Sequence, residues 1–355
     1  MTDIWTIKAA LDWTVGYLEG KGDENPRLSA EWLLSEACGL SRIELYVNFD
    51  CPLSMDERDV LRGFVTRRGR GEPLQYITGE AAFRHITVKV RPGVLIPRPE
   101  TEVLVSVALA LLPPAHKRVA LDSTIDAWEG DVLIDAQTAA AEAAQGDEAE
   151  NPEAIQQSKQ AIRAFLAGQN GEAAKPAAQQ QVPAKQRPLL VADICTGSGC
   201  IAWSVSLEVP GTEVVAVDIS DAALEVARSQ FGGPSPRFVK ADVLSGPDGF
   251  DEGLFDLVLC NPPYVMESEK AAMRTNVLNY EPGLALFVPD ADPLVFYRAV
   301  AQWAGRFLRR GGTGLVEINE SLGPQTEAVF KDAGYKETQI VRDFFSKYRF
   351  VKFSA

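Results

Sequence analysis

Leu189-Leu-Val-Ala-Asp193-Ile-Cys-Thr-Gly197-Ser-Gly199 is a short apolar run that passes straight into a glycine turn. Its apolar part is too short for a core helix and is continuous rather than alternating, which is the pattern of a strand buried on both faces. The glycines after it let the backbone turn sharply and come close to a ligand. The chain beyond Gly199 repeats the theme. Strands are predicted at 213–218, 237–240, 254–260 and 314–318, and helices at 200–207, 221–231, 293–308 and 323–333. Short apolar strands alternating with helices make a doubly wound, mostly parallel sheet. Two late strands, near 337–341 and 348–353, add an antiparallel edge and bring the expected sheet to seven strands of Rossmann-like α/β type.

In open α/β sheets, ligands bind where the carboxyl ends of the strands converge. The second strand ends at Asp218, whose carboxylate can accept both hydroxyls of a ribose, and the third runs into Ala241-Asp242, within reach of an adenine edge. Gly197-Ser-Gly199-Cys-Ile-Ala202 also satisfies the dinucleotide pattern of spaced glycines. An acid inside the strand before the glycines, Asp193, favours S-adenosylmethionine instead, because it can hold the ammonium of the methionine moiety directly or through water. A nicotinamide oxidoreductase would also need a positioned proton donor, and no His or Tyr–Lys pair suggests itself.

Asn261-Pro262-Pro263-Tyr264 follows the apolar strand that ends at Cys260. Two prolines fix the backbone and remove its donors, so carbonyl oxygens can serve as acceptors. Asn adds a side-chain acceptor and Tyr a face for stacking on a planar group. The combination suits a planar –NH2 substrate, either an amide or the exocyclic amine of a base. Two acceptors can hold the nitrogen toward a methyl sulfonium, and hydrogen bonds that favour a tetrahedral nitrogen act more in the transition state than in the ground state. A strong base is then unnecessary, which fits a chain whose only histidines are His85 and His116.

The 355 residues carry 49 acidic and 35 basic side chains, a net charge of -14. That sign argues against broad nucleic-acid binding, where Lys and Arg replace counterions. Five Cys without framework spacing read as reduced thiols of a cytoplasmic protein. Cys195, Cys200 and Cys260 are expected to be small packing residues rather than metal ligands, and no metal site is expected. Neither a signal peptide nor a membrane span is read from the chain.

The first part of the chain has helical periodicity: Ile7, Leu11, Val15 and Leu18, then Leu28, Trp32, Leu33 and Ala37 before Gly39. Ser54 and Glu57 form a capping box ahead of Val60, Leu61, Phe64 and Val65. Arg67-Arg68-Gly69-Arg70 reads as a solvated helix end. Ile86, Val88 and Val90 alternate with polar residues as a half-buried strand, Pro92-Gly93 marks a turn, and Pro97-Arg98-Pro99-Glu100-Thr101-Glu102 opens an apolar helix. The expected organisation is a helical substrate-recognition domain at 1–72, a strand-containing linker at 73–98 and a catalytic domain at 99–355. An Ala-, Gln- and Glu-rich insertion at about 113–187 interrupts the last of these.

Pro73-Leu-Gln-Tyr-Ile-Thr-Gly79, Leu95-Ile-Pro-Arg-Pro-Glu-Thr-Glu102, Asp193 to Gly199, Asn261 to Tyr264 and Glu281-Pro-Gly-Leu-Ala-Leu286 occur in an order that resembles the release factor glutamine methyltransferases of the HemK family. The resemblance covers nearly all of the chain outside 113–187, and the ordered combination is far more specific than any one motif. Asn-Pro-Pro-Tyr alone is shared with methyltransferases that modify the exocyclic amine of adenine in DNA. The resemblance implies methylation, by S-adenosylmethionine, of the side-chain amide nitrogen of glutamine in the Gly-Gly-Gln motif of class I peptide chain release factors. Ribosomal-protein glutamine and nucleic-acid adenine are the alternative acceptors. By the same resemblance Cys195, Thr196, Gly197, Ser198 and Gly199 contact the cofactor with Asp193. Asp218 binds its ribose, Asp242 and Val243 flank its adenine, Ile219 and Asn261 also contact the cofactor, and Asn261, Pro262, Pro263 and Tyr264 hold the target glutamine. Cys195 stands where the family often has glycine. The expected protein is a cytoplasmic monomer with release factors as partners, no membrane association and no direct nucleic-acid substrate.

Overall fold

The computed structural model describes residues 5–112 and 187–355, apart from 234–235, 249, 251–252 and 344–345. The insertion expected at about 113–187 lies, except for Arg187, outside the described residues. The chain opens with helices α1 (Ile7–Glu19), α2 (Pro26–Cys38), α3 (Arg42–Val47), α4 (Met55–Arg68) and α5 (Leu74–Thr78). Ser41 with Glu44 and Ser54 with Glu57 close capping boxes at the starts of α3 and α4, satisfying donors that no helix can satisfy internally. Leu11, Leu18, Leu33, Leu34, Leu45 and Leu61 pack into one apolar core shared by these helices.

Two expectations on this bundle fail. Trp32 and Val60 are exposed, at 42% and 43%. The buried stripe of α2 runs instead through Ala30, Leu33 and Leu34. The end of α4 is only partly solvated: Arg70 is exposed, but Arg67 and Arg68 are engaged. Arg67 pairs with Glu72 at 2.6 Å and donates to the carbonyl of Tyr76, while Arg68 pairs with the buried carboxylate of Asp23 at 2.6 Å. Both arginines staple the end of α4 to neighbouring turns, and local sequence does not reveal the Arg68 pair because Asp23 is far away along the chain.

A hairpin of β1 (Glu80–Phe83) and β2 (Ile86–Lys89) follows, then α6 (Pro99–Leu111). β1 is a partner that the alternation of β2 does not announce. Phe83, Val88, Val90 and Ile96 are buried in the same core as α6 and one face of the main sheet. Gln230 ties the hairpin to the glycine turn, its Nε2 donating to the carbonyls of Lys89 and Ser198 at 2.8 and 3.0 Å.

The remaining elements alternate: β3 (Leu189–Ile194), α7 (Cys200–Glu208), β4 (Thr212–Asp218), α8 (Asp221–Arg228), β5 (Arg237–Lys240), β6 (Phe255–Cys260), β7 (Val265–Met266), α9 (Thr275–Tyr280), β8 (Phe287–Val288), α10 (Val295–Phe307), β9 (Leu308–Glu317), α11 (Gly323–Asp332), β10 (Glu337–Arg342) and β11 (Tyr348–Ser354). Seven strands form one sheet in the order β10-β11-β9-β6-β3-β4-β5. The five strands from β9 to β5 in that order are mutually parallel, and β11 runs antiparallel to both of its neighbours. This is the expected seven-stranded Rossmann-like sheet, with an antiparallel edge.

Alternate side chains of the strands serve opposite faces, as the strand period requires. Val191, Leu257 and Leu315 meet α6 and α7, whereas Ala192, Val258 and Val316 meet α10. Trp303 and Phe307 are core residues of α10, as their spacing predicts. β9 starts earlier than the sequence suggests, because Gly312 lets the strand pass close to β6. A Cβ there would lie 2.8 Å from the carbonyl oxygen of Arg309 and 3.1 Å from that of Asp256. The chain leaves β3 toward β4 and β5 on one side and returns to β6 on the other. The resulting switch point opens a crevice at the carboxyl ends of β3, β4 and β6.

Candidate active site

The turn after β3 is held from both sides of that crevice. Cys195, Gly197 and Gly199 all have positive φ, at 62°, 56° and 80°. At Gly199 a Cβ would lie 3.0 Å from the Cβ of Ala227 and 3.1 Å from the ring of Trp203, so only glycine allows α7 to start that close to α8. Asp218, at the end of β4, accepts from the backbone N–H of Gly197 at 2.8 Å and from that of Ser220 at 2.9 Å. It therefore closes the turn as well as facing the crevice.

A cavity of about 160 Å³ occupies the crevice. Cys195, Gly197, Asp218, Ile219, Asp242, Val243, Asn261 and Pro263 line it, so most of the residues singled out from the sequence do come together. Asp193, Thr196, Ser198, Gly199, Pro262 and Tyr264 are not among the residues that line it. Asp193 is fully buried beneath the turn, where its Oδ2 accepts from the Thr196 hydroxyl and from Ala202 N–H at 3.1 Å. Its Oδ1 has no hydrogen-bond partner. A buried carboxylate oxygen without a donor is costly, and an ammonium or a bridging water would satisfy it. Asp242 accepts from Leu244 N–H and the Ser245 hydroxyl, both at 2.9 Å, which turns its carboxylate into the cap of a short turn at the cavity rim.

Part of the wall is made by residues to which the sequence assigns no role at the site. Gly93, Val94 and Leu95 of the linker, Phe296 of α10, and Pro282, Leu284 and Ala285 also face the cavity. The last three belong to the Glu281–Leu286 motif, to which the sequence by itself assigns no role.

The Asn-Pro-Pro-Tyr turn is braced by a buried carboxylate. Asn261 Nδ2 donates to Thr101 Oγ1 at 2.8 Å, and the Thr101 hydroxyl donates to Glu317 Oε2 at 2.8 Å. Tyr264 OH donates to Glu317 Oε1 at 2.9 Å. Asn319 Nδ2 donates to the backbone carbonyl of Tyr264 at 3.2 Å and to Glu269 at 2.9 Å. Glu317 ends β9 and is 1% exposed. Its signal in the sequence is an acid inside the apolar run Gly314-Leu-Val-Glu-Ile318, and Thr101 stands inside the Leu95–Glu102 motif with no partner nearby in the chain.

These groups are electrostatically unusual. Burial raises Asp193 to about 7, against hydrogen bonds from Thr196 and Ala202 that lower it. Burial likewise raises Glu317 to about 7, opposed by its bonds from Thr101 and Tyr264. Burial also raises Asp218, opposed by backbone N–H groups. The Tyr264 hydroxyl is pushed well above its ordinary value by burial and by the charge of Glu317. Burial and the neighbouring Cys195 raise the Cys260 thiol, which reads as a neutral packing group. Among the described residues no group of three or more His, Cys, Asp or Glu is arranged to hold a metal ion.

A larger cleft of about 760 Å³ lies outside this crevice, between the helical bundle, the hairpin and residues 273–276. Trp32, Arg68, Gln75, Glu102 and Arg274 are on its walls. Arg274 reaches Glu24 across it at 3.0 Å.

Comparison with known proteins agrees with this arrangement. The PrmC N-terminal domain family matches residues 9–79, and the methyltransferase small domain family matches residues 179–279. A release factor glutamine methyltransferase of Geobacter sulfurreducens is 32% identical over 342 residues, covering 96% of this chain and 94% of that protein. One of Bacteroides thetaiotaomicron is 33% identical over 313 residues, covering 88% of this chain and 86% of its own. One of Chlorobaculum tepidum is 31% identical over 348 residues, covering 96% and 94%. With the helical bundle, the glycine turn and the Asn-Pro-Pro-Tyr turn in the same chain, the protein belongs to the release factor glutamine methyltransferase family.

Proposed function

We propose that this protein uses S-adenosylmethionine to methylate the side-chain amide nitrogen of the glutamine in the Gly-Gly-Gln motif of class I peptide chain release factors. The observation that carries the reading is the tethered amide of Asn261. Its Nδ2 is engaged by Thr101, so Oδ1 is left to accept a hydrogen bond at the cavity. An amide –NH2 offers two donors and needs acceptors of this kind.

The chain's own groups fit the cofactor. The partnerless Oδ1 of Asp193 is suited to an ammonium. Asp218 is suited to ribose hydroxyls, and Ile219, Val243 and Asp242 to the two faces and the edge of a purine. When bound, the cofactor supplies an electrophilic methyl on a sulfonium. Asn261 and the carbonyl of Pro262 would hold the glutamine nitrogen, and Tyr264 would bound the amide plane. Orientation of this kind can contribute several kcal/mol to a bimolecular transfer. The proton leaves after transfer, when the nitrogen has become acidic, so a dedicated base is unnecessary.

The helical bundle at residues 1–72 serves in this reading as the substrate-recognition domain, because with the hairpin and residues 273–276 it walls an outer cleft of about 760 Å³. The net charge of -14 suits a protein acceptor better than nucleic acid. The reading places the enzyme in the cytoplasm, where its acceptor works, and as a monomer, since each chain carries a complete set of these groups. Labelled S-adenosylmethionine offered with purified release factors, ribosomal proteins or DNA tests it. Label on the Gly-Gly-Gln glutamine supports it, and label on DNA or ribosomal protein alone overturns it.

A further inference from the structure

We infer that Glu317 and Thr101 are positioning residues that set which way the amide of Asn261 faces, so that methyl transfer requires an ionised Glu317. The inference rests on the assignment of Asn261 to the reacting amide and deepens it.

The argument is one of hydrogen-bond polarity. An ionised carboxylate only accepts. Glu317 has two hydroxyl groups directed at it, Thr101 on Oε2 at 2.8 Å and Tyr264 on Oε1 at 2.9 Å. Thr101 has a single proton. Once that proton is given to Glu317, its oxygen can only accept from the next group, which is Asn261 Nδ2 at 2.8 Å. The nitrogen of the Asn261 amide is thereby turned inward and its oxygen outward. Thr101 is 2% exposed and Glu317 1%, so water does not supply alternative partners.

A proton on Oε2 of Glu317 reverses the series. The carboxyl would donate to Thr101, Thr101 would donate to Asn261, and the amide would rotate to offer Oδ1 inward. Its Nδ2 would then face the cavity, a donor opposite a substrate that is itself a donor. The groups around Glu317 place this change near neutral pH. Burial is the dominant effect, Glu100 of α6 adds to it, and Arg349 of β11 opposes it, with the result at about 7. Tyr264, Tyr297 of α10, Cys260 of β6 and Cys200 of α7 also feel its charge and are themselves held protonated.

The test compares Thr101→Val, Thr101→Ser and Glu317→Gln with the unaltered full chain. A class I release factor and S-adenosylmethionine are both saturating, so cofactor-affinity effects from Asp193 do not enter kcat. We expect kcat of the unaltered enzyme to fall on the acid side of about pH 7. Thr101→Val should lower kcat by roughly 10- to 100-fold, the range for lost orientation, with little change in cofactor Kd. Thr101→Ser, which keeps the hydroxyl, should recover most of it. Glu317→Gln has no proton to gain and should lose the acid fall, on a lowered plateau. Normal kcat in Thr101→Val, or an unchanged acid fall in Glu317→Gln, would overturn the inference even where the other variant folds poorly. Failure of the unaltered enzyme to methylate the release factor would instead overturn the amide assignment on which it rests.

Discussion

Arg98 Nη2 donates to Glu281 Oε1 at 2.6 Å, and the backbone N–H of Ile96 reaches the other oxygen of the same carboxylate at 3.2 Å. Two motifs separated by more than half the chain are joined at a buried acid. Glu281 immediately precedes Pro282, Leu284 and Ala285 on the cavity wall. The pair therefore couples the start of α6 to one side of the crevice.

Arg98→Ala should cost about 1–3 kcal/mol of stability, since it leaves a buried carboxylate short of a donor. The partly exposed arginine keeps the figure below that of a fully buried pair. Urea unfolding measures it. Cofactor affinity should fall as well, and an unchanged midpoint with unchanged affinity would contradict the coupling.

The glycines of the turn should separate in their cost. Gly197→Ala meets open space and suffers only its positive φ, about 1–2 kcal/mol. Gly199→Ala adds a clash with Ala227 and Trp203, whose atoms lie 3.0 and 3.1 Å from the new Cβ. Together these should cost about 2–5 kcal/mol. Equal unfolding midpoints for the two variants would show that the space behind Gly199 yields.

Asp218→Asn should weaken S-adenosylmethionine by about 1–3 kcal/mol, the range for hydrogen bonds to a charged group. Asp218→Ala should weaken it further, because the turn at Gly197 loses its anchor as well. Calorimetry with both variants separates the two contributions. Equal affinities would mean that the anchor does not matter to binding.

Asp193 and Glu317 make the ligand-free protein less stable as pH rises. Both have folded-state values of about 7, above their ordinary values of 3.8 and 4.5. Between those limits the folded state holds protons that the unfolded state has released, so stability falls with pH and levels off above about 7. Each group contributes on the order of a few kcal/mol. S-adenosylmethionine should reverse the trend at Asp193, because its ammonium favours the ionised form, and cofactor affinity should therefore drop on acidification. Melting temperatures at several pH values, with and without cofactor, and repeated for Asp193→Asn, check the sign.

Asn261→Ala should reduce single-turnover methyl transfer by about 100- to 1000-fold, the range for one preorganised polar contact. Cofactor affinity should change much less. Tyr264→Phe keeps the ring and removes only the donor to Glu317, so its loss should be smaller. Near-normal turnover by Asn261→Ala at saturating substrate would move the reacting amide elsewhere on the sheet edge.

The sheet is legible in the sequence because its signals are local. Leu189 to Gly199 carries both the buried strand and the turn, and each of the next three strands ends at or runs directly into a residue whose type already suits a ligand: Asp218, Asp242 and Asn261. The capping boxes at Ser41 and Ser54 close within three residues, although only the second stands ahead of a clear apolar stripe. Trp32 shows the limit of periodicity. It lies at a spacing compatible with the apolar face of α2, yet rotation of that helix against α1 and α4 leaves it outside. β1 escapes a sequence reading because its four residues have too little pattern of their own and become a strand only by pairing with β2.

The sequence alone therefore determined the fold class, the glycine turn and the acids and amide at the strand ends, since each depends on residues adjacent in the chain. Tertiary structure alone decided how those groups are aimed. Thr101 and Glu317 are 216 positions apart, and neither has a visible role until α6 lies against the end of β9 and excludes water from between them. The same closure leaves Asp193 Oδ1 without a donor and draws Pro282 and Leu284 onto the cavity wall. Direction and desolvation are properties of the packed assembly, because a hydrogen bond acquires its polarity, and a carboxylate its raised pKa, only from neighbours that the linear order does not specify.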